Sequence, residues 1–289
     1  MTTVMIDMRI NHNVMAMYSY RMFNKALAAQ GRAMERLSSG LRINRAADDP
    51  AGLAISEKMR AQIRGLNQAS RNAQDAISLI QTAEGGLNET HAILQRMREL
   101  SIQAANDTLS EGDRLAIQEE IDQLTEEITR IGGDTEFNTM KLLDGSKNEF
   151  KIQVGANAGQ TITLEMSDMR AAAIGLTGSG TGYTTNGTLD MSSADSASSA
   201  SSIIDKAIEQ VSSQRSRLGA YTRRLEHTIN NLENTAENLT AAESRIRDAD
   251  MAKEMMEYAK QSVLAQVAMA MMAQANQQPS LILQLLRGN

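Results

Sequence analysis

The chain has 289 residues, 35 acidic against 29 basic side chains, a formal net charge of −6, no Cys, no Trp, 3 Phe, 5 Tyr and 19 Met. That charge has the wrong sign for displacing phosphate counterions, so a nucleic-acid partner is not expected. The missing Cys removes disulfide scaffolds, Cys-based zinc sites and thiol catalysis.

Only Pro50 and Pro279 interrupt the chain, and residues such as Ala, Leu, Met, Glu, Gln and Arg, which lose little rotamer freedom in a helix, are abundant. Long helices follow. In the first segment, Ile10, Val14, Met17, Met22, Leu27, Met34 and Leu37 give an amphipathic stripe, and Ser38-Ser39-Gly40 ends it with a glycine at the helix C-terminus. No basic start followed by a long apolar run precedes it, so no cleaved secretory signal is expected. Asp48-Asp49-Pro50 restarts the helix: Asp49 caps free N–H groups, and Pro50 fits the first turn, where a missing donor costs nothing. Met59, Ile63, Leu66, Ala73, Ile77, Ile80, Leu87 and Leu94 then follow an alternating 4/3 spacing, with Ser70, Glu84 and His91 in the polar seats. A helix from 51 to 105 would run roughly 80 Å.

Asn106-Asp107-Thr108 and Ser110-Glu111-Gly112-Asp113 mark a turn. A shorter heptad segment follows, Ile117, Ile121, Leu124, Ile128 and Ile131, closed by Gly132-Gly133. The period changes to two over 149–166, where Phe150, Ile152 and Val154, then Ile162, Leu164 and Met166, alternate around Gly155–Gly159 and predict a β-hairpin. Residues 177–202 are almost all Gly, Ser, Thr, Asn and Ala and read as a flexible linker. Beyond it, Ile204, Ile208, Val211, Leu218, Leu225, Ile229, Leu232, Ala236, Leu239 and Ile246 resume the 4/3 spacing, with Arg215, Thr222 and Glu243 in the skipped seats.

From Met251 to Leu286 the apolar content rises, and one chain offers too few partners for that stripe and the N-terminal one together. A large exposed stripe marks an interface. The most apolar stretch, 261–275, is too short for a membrane span. The fold class expected is mainly α: an elongated, heptad-patterned helical bundle with a small β-hairpin, plus paired terminal helices. Its parts are a terminal helix segment over 1–43, the first part of the bundle over 44–176, the linker over 177–202, the bundle's C-terminal helix over 203–247, and a second terminal helix over 248–289.

Catalytic and metal chemistry is poorly provided for. Asp48 and Asp49 are accounted for as caps before Pro50, and His12, His91 and His227 lie far apart with no metal-ligand spacing. Gly178–Gly182 lacks both the Lys-Ser/Thr and the preceding strand of a phosphate loop. No nucleophile, base and orienting group can be assembled, so no enzyme, cofactor or metal is expected.

Longer motifs carry a resemblance. Met8-Arg9-Ile10-Asn11-His12-Asn13, Leu37-Ser38-Ser39-Gly40-Leu41-Arg42-Ile43-Asn44 and Ala46-Ala47-Asp48-Asp49-Pro50-Ala51-Gly52-Leu53-Ala54-Ile55 resemble the N-terminal region of bacterial flagellins. Gln68–Ala73, Leu94–Leu100 and Glu136-Phe137-Asn138 continue the match, and Ser244–Ala252 with Gln274–Pro279 are similar to the C-terminal region. The resemblance implies a short flagellin in which the linker stands where large outer domains are inserted in many relatives. Its terminal helices would form an inner tube, with the bundle outside it.

The resemblance also implies export through the flagellar type III apparatus and an extracellular location in the bacterial flagellum. Implied partners are other copies of the chain, a flagellar secretion chaperone, and hook-associated and cap proteins. Polymerisation would fall to Ile10, Val14, Met17, Val263, Leu264, Val267, Met271 and Leu285. Toll-like receptor 5 of a host would read Gln95, Arg96, Leu100 and Glu120. A hook–filament junction protein is the alternative, since it shares similar terminal segments. Two departures stand out: Met1–Asp7 precedes the usual start, and Tyr18, Tyr20 and Phe23 occupy seats that are small or polar in most of the family.

Overall fold

The computed structural model describes residues 12–180, 182–184 and 187–287, with side chains described as far as 278. The fold is mainly α. In chain order come α1 (Val14–Ser39), α2 (Pro50–Ala104), α3 (Glu111–Asp134), β1 (Glu136–Phe137), β2 (Met140–Lys141), β3 (Glu149–Gln153), β4 (Thr161–Glu165), α4 (Ala194–Arg247) and α5 (Met251–Arg287). They distribute over two compact units, residues 1–61 with 239–289 and residues 62–238, so that the unit boundaries fall inside α2 and α4.

The helix ends follow from local chemistry. Asn13 caps α1 by accepting from the Ala16 amide at 3.0 Å, and Gly40, left-handed at φ 71°, closes it by donating to the Arg36 carbonyl. Asp49 accepts from the Gly52 amide at 2.9 Å where Pro50 opens α2. Ser110 and Asp113 cap each other's amides at the start of α3, and the Ser110 hydroxyl and amide hold the Asp113 carboxyl below the usual range.

In the first unit an isolated antiparallel bridge, Leu41 to Asp248, joins the α1–α2 connection to the α4–α5 connection. The Arg42 amide donates to the Arg247 carbonyl at 2.7 Å and the Ala249 amide to the Gly40 carbonyl at 2.9 Å. Ile43 is buried beside this bridge, and Arg247 pairs with Glu57 at 2.6 Å.

The second unit holds the main core, built from α2, α3, both hairpins and α4. Its seam differs from the expected one by one position on each helix, one residue earlier on α2 and α4 and one residue later on α3. On α2 the buried residues include Leu66, Ala69, Ala73, Ala76, Leu79, Ile80, Ala83, Leu87, Thr90, Leu94, Met97 and Leu100, so Ala69, Ala76, Ala83 and Thr90 occupy the seats read as Ser70, Ile77, Glu84 and His91. On α3, Thr125 and Gly132 replace Leu124 and Ile131. On α4, Ala207 and Gln214 replace Ile208 and Arg215. The displaced Ile77, Leu124 and Ile208 are half-buried against the flanks of the core. Small residues at the centre with large ones beside them let side chains of facing helices interdigitate without voids. The buried hydroxyls return to their own helices: Thr90 donates to the Gly86 carbonyl and Thr125 to that of Ile121.

The expected hairpin is present. β3 and β4 pair antiparallel with Phe150 opposite Leu164 and Ile152 opposite Ile162, and Phe150, Ile162 and Leu164 are buried. Gln214, fully buried on α4, donates to the Glu165 carbonyl at 3.2 Å and ties β4 to that helix. A second hairpin, β1–β2, was not anticipated. Its two turn residues Asn138 and Thr139 have φ of 48° and 63°, the conformation that most often recruits Asn-Gly, and Lys141 meets Glu136 across it at 3.0 Å.

Residues 177–202 correct the expected linker. Helix α4 begins at Ala194, within that stretch, and its Ala197 and Ala200 are buried. Leu189 and Met191 are buried in the core. Gln118 of α3 holds the backbone between them: it donates to the Leu189 carbonyl at 2.7 Å and accepts from the Met191 amide at 2.8 Å. Tyr183 adds a hydrogen bond to the Gly175 carbonyl at 2.6 Å. Composition is a poor guide here because two apolar residues two positions apart, met by a side-chain amide, suffice to anchor a polar segment.

Two glycines test the packing. A Cβ on Gly85 of α2 would meet nothing within 4 Å, so Gly85→Ala stabilises the chain by about 1 kcal/mol through helix propensity. A Cβ on Gly132 would lie 2.9 Å from Arg170 Cγ and 3.2 Å from its Cα and N, so Gly132→Ala forces backbone apart and costs about 1–3 kcal/mol. Thermal melts of the two variants should move in opposite directions.

Candidate assembly and recognition surfaces

Helices α1 and α5 pack against each other, and the residues buried on them are small. On α1 these are Ala26 and Ala33; on α5 they are Ala265, Ala268 and Ala275. Arg36 and Glu254 bridge the pair at 3.2 Å, and the Asn13 side-chain amide donates to the Ala275 carbonyl at 2.8 Å. Alanine inside leaves the large apolar side chains outside. Val14 and Met17 are each 64% exposed, Val263 57%, Val267 and Met271 52% and Leu264 46%. Ile10 lies outside the described residues, as does the side chain of Leu285.

A groove of about 550 Å³ runs in this unit, lined by Met15, Tyr18, Met22, Leu264, Val267 and Met271 together with Lys25, Arg32 and Lys260. Burying one Val, Leu or Met side chain fully is worth about 1.5–3 kcal/mol, so the exposed set holds a large unrealised driving force for association. Reading a single stripe missed part of it. Met15, Tyr18 and Tyr20 are also exposed, because alanines satisfy the α1–α5 contact and leave several faces of α1 apolar. The signal was present in the sequence as alanines at helical spacing.

A second surface lies on α2 and α3. Arg96 donates from Nε to Glu120 Oε1 at 3.0 Å and meets Glu99 at 3.5 Å, and the Glu120 contact holds the guanidinium above its ordinary value. Gln95 is exposed and lies 3.0 Å from the His91 ring. Leu100 differs from the other three: it is only 2% exposed and packs into the core of the second unit.

The carboxylates singled out before Pro50 serve the backbone. Asp48 accepts from the Asn44 and Arg45 amides, which lowers its carboxyl, the Arg45 amide most, and Asp49 caps α2. Among the described residues no group of three or more His, Asp or Glu is placed to hold a metal ion, and no helix is long and apolar enough to cross a membrane.

Residues 10–148 match the model of the bacterial flagellin N-terminal helical region, and residues 201–286 that of the flagellin C-terminal helical region. Flagellin of Halalkalibacterium halodurans is 56% identical over 280 residues, an alignment covering 97% of this chain and all of the relative. Flagellin of Bacillus subtilis is 53% identical over 304 residues, again covering 97% of this chain and all of the relative. The crystal structure of Bacillus cereus flagellin is 33% identical, with a TM-score of 0.48, and covers 60% of this chain and 94% of that one.

Proposed function

The chain belongs to the bacterial flagellin family, as a short form of a flagellar filament protein, and from that premise we propose that its copies join through the apolar outer faces of α1 and α5. The observation that carries this is the inverted packing of that helix pair, alanine inside and Val, Leu, Met and Tyr outside. A lone subunit leaves that surface wet; neighbouring copies cover it. Polymerisation is then driven by apolar burial between chains. Val14, Met17, Val263, Leu264, Val267 and Met271 are the residues to be covered, with Ile10 and Leu285 continuing the set by sequence. Electron microscopy of purified chain seeded with filament fragments tests it: long filaments are expected, and short caps or no polymer would favour the hook–filament junction reading instead.

The subunit acts without catalysis, travels through the type III apparatus and ends outside the cell. The absence of Cys supports the transit, because no disulfide has to be reduced for the chain to pass unfolded. Before assembly a secretion chaperone covers the apolar helix faces, and hook-associated and cap proteins receive them at the filament ends.

For Toll-like receptor 5, the contact residues are Gln95, Arg96 and Glu120, supported by the exposure of Gln95 and Arg96 and by the ion pair with half-buried Glu120 that fixes the Arg96 fork. Leu100 supports them from beneath. Arg96→Ala combined with Glu120→Ala should lower monomer-driven signalling in a receptor reporter assay at least about tenfold, the equivalent of about 1.4 kcal/mol, with helix content unchanged. An unaltered response would remove this site.

A further inference from the structure

The methionines divide by location. Among the described residues, Met97, Met166, Met169 and Met191 are buried in the second unit, whereas nine of the ten exposed methionines lie on α1 and α5 and only Met140 lies elsewhere. Met17 is 64% exposed and Met256 67%. In a chain with no Cys and no Trp, these thioethers are the most readily oxidised side chains. Methionine suits an adaptable interface because it is flexible and polarisable, and sulfoxidation replaces that character with a polar, chiral group.

We propose that the exposed methionines of α1 and α5 form a modification surface through which peroxides control assembly, their conversion to sulfoxide in the free subunit blocking its addition to a polymer. This rests on the assembly reading above. In the reaction the thioether sulfur attacks one oxygen of hydrogen peroxide: an S–O bond forms, the O–O bond breaks, sulfur gives up two electrons, and the other oxygen takes them and both protons and leaves as water. A sulfoxide on the free subunit stays hydrated and costs the fold little. Covered by a neighbouring copy, the same group loses water without gaining a partner. The buried methionines of the second unit are shielded, so its core survives the treatment. Once copies have joined, the α1 and α5 methionines are covered too, which makes the order of events matter: peroxide acts before assembly and is ineffective after it.

The experiment compares full-length chain with and without hydrogen peroxide, followed by seeded elongation. Peptide mass spectrometry should place the first added oxygens on α1 and α5. Elongation should slow at least about tenfold while helical circular dichroism is retained, and methionine sulfoxide reductases should restore it. Peroxide given to finished filaments should leave them intact. A Met140→Leu variant, altered at the exposed methionine outside α1 and α5 among the described residues, should elongate normally and stay as sensitive to peroxide as the native chain, and reductase restoration of the oxidised native chain separates oxidation from damage. Elongation of the oxidised chain at the untreated rate, loss of helix together with elongation, or failure of the reductases to restore it would each overturn the proposal. Untreated chain that forms no polymer would overturn the assembly reading itself and this inference with it.

Discussion

A full-length chain carrying Val263→Asp and Val267→Asp remains monomeric where the native chain, given filament seeds, elongates. The two positions are four residues apart on α5 and therefore share a face, and both are more than half exposed in the single subunit. Placing carboxylates there costs the isolated fold about 0.5 kcal/mol or less per site, since both remain in water. The cost appears on association. Each uncompensated charge taken out of water costs several kcal/mol, and about 4 kcal/mol already corresponds to roughly a thousandfold loss of subunit affinity. Seeded electron microscopy and sedimentation read the outcome, and circular dichroism shows that the helices persist. Val263→Leu with Val267→Leu keeps the face apolar and should elongate. Filaments of normal length from the Asp variant would show that this face of α5 is not covered between copies.

The second large effect concerns the seam of the main core. Leu87→Ala should destabilise by about 2–5 kcal/mol, because a fully buried side chain leaves a cavity among residues that cannot all collapse into it. Ala83→Leu should cost about 1–3 kcal/mol by overpacking, since Ala83 is fully buried. Glu84→Leu, one position along, should change stability by about 0.5 kcal/mol or less. In a unit of this size each kcal/mol moves the melting temperature by about 2–4 °C, so calorimetry separates the three. Equal effects at positions 83 and 84 would put the seam back where hydrophobic spacing alone had placed it.

That comparison shows where sequence reading succeeds and where it stops. Helix identity was legible to within a residue or two wherever a cap had a chemical signature, as at Gly40, Pro50 and Ser110. The phase of the buried face was less legible. Counting bulky apolar residues selects Ile77, Leu124 and Ile208, yet helix interfaces are centred on what fits between two backbones, and that is Ala76, Thr125 and Ala207. The same preference hid the character of α1 and α5, whose alanines mark their mutual contact and whose larger residues are left for other chains. Leu100 entered the receptor set through resemblance of the surrounding motif, while its burial depends on tertiary packing that local sequence does not display. The β1–β2 hairpin escaped notice because Asn138-Thr139 adopts a turn geometry usually signalled by glycine.

The bridge from Leu41 to Asp248 and the hydrogen bond from Asn13 to Ala275, partners 262 positions apart, carry a kinetic consequence. Residues 62–238 form their unit from one continuous stretch, whereas the other unit needs both ends of the polypeptide. Its contact order is high, and loop-closure entropy opposes its formation until nearly the whole chain is present. In a polypeptide delivered progressively from either terminus, the α1–α5 pair is therefore the last element to close.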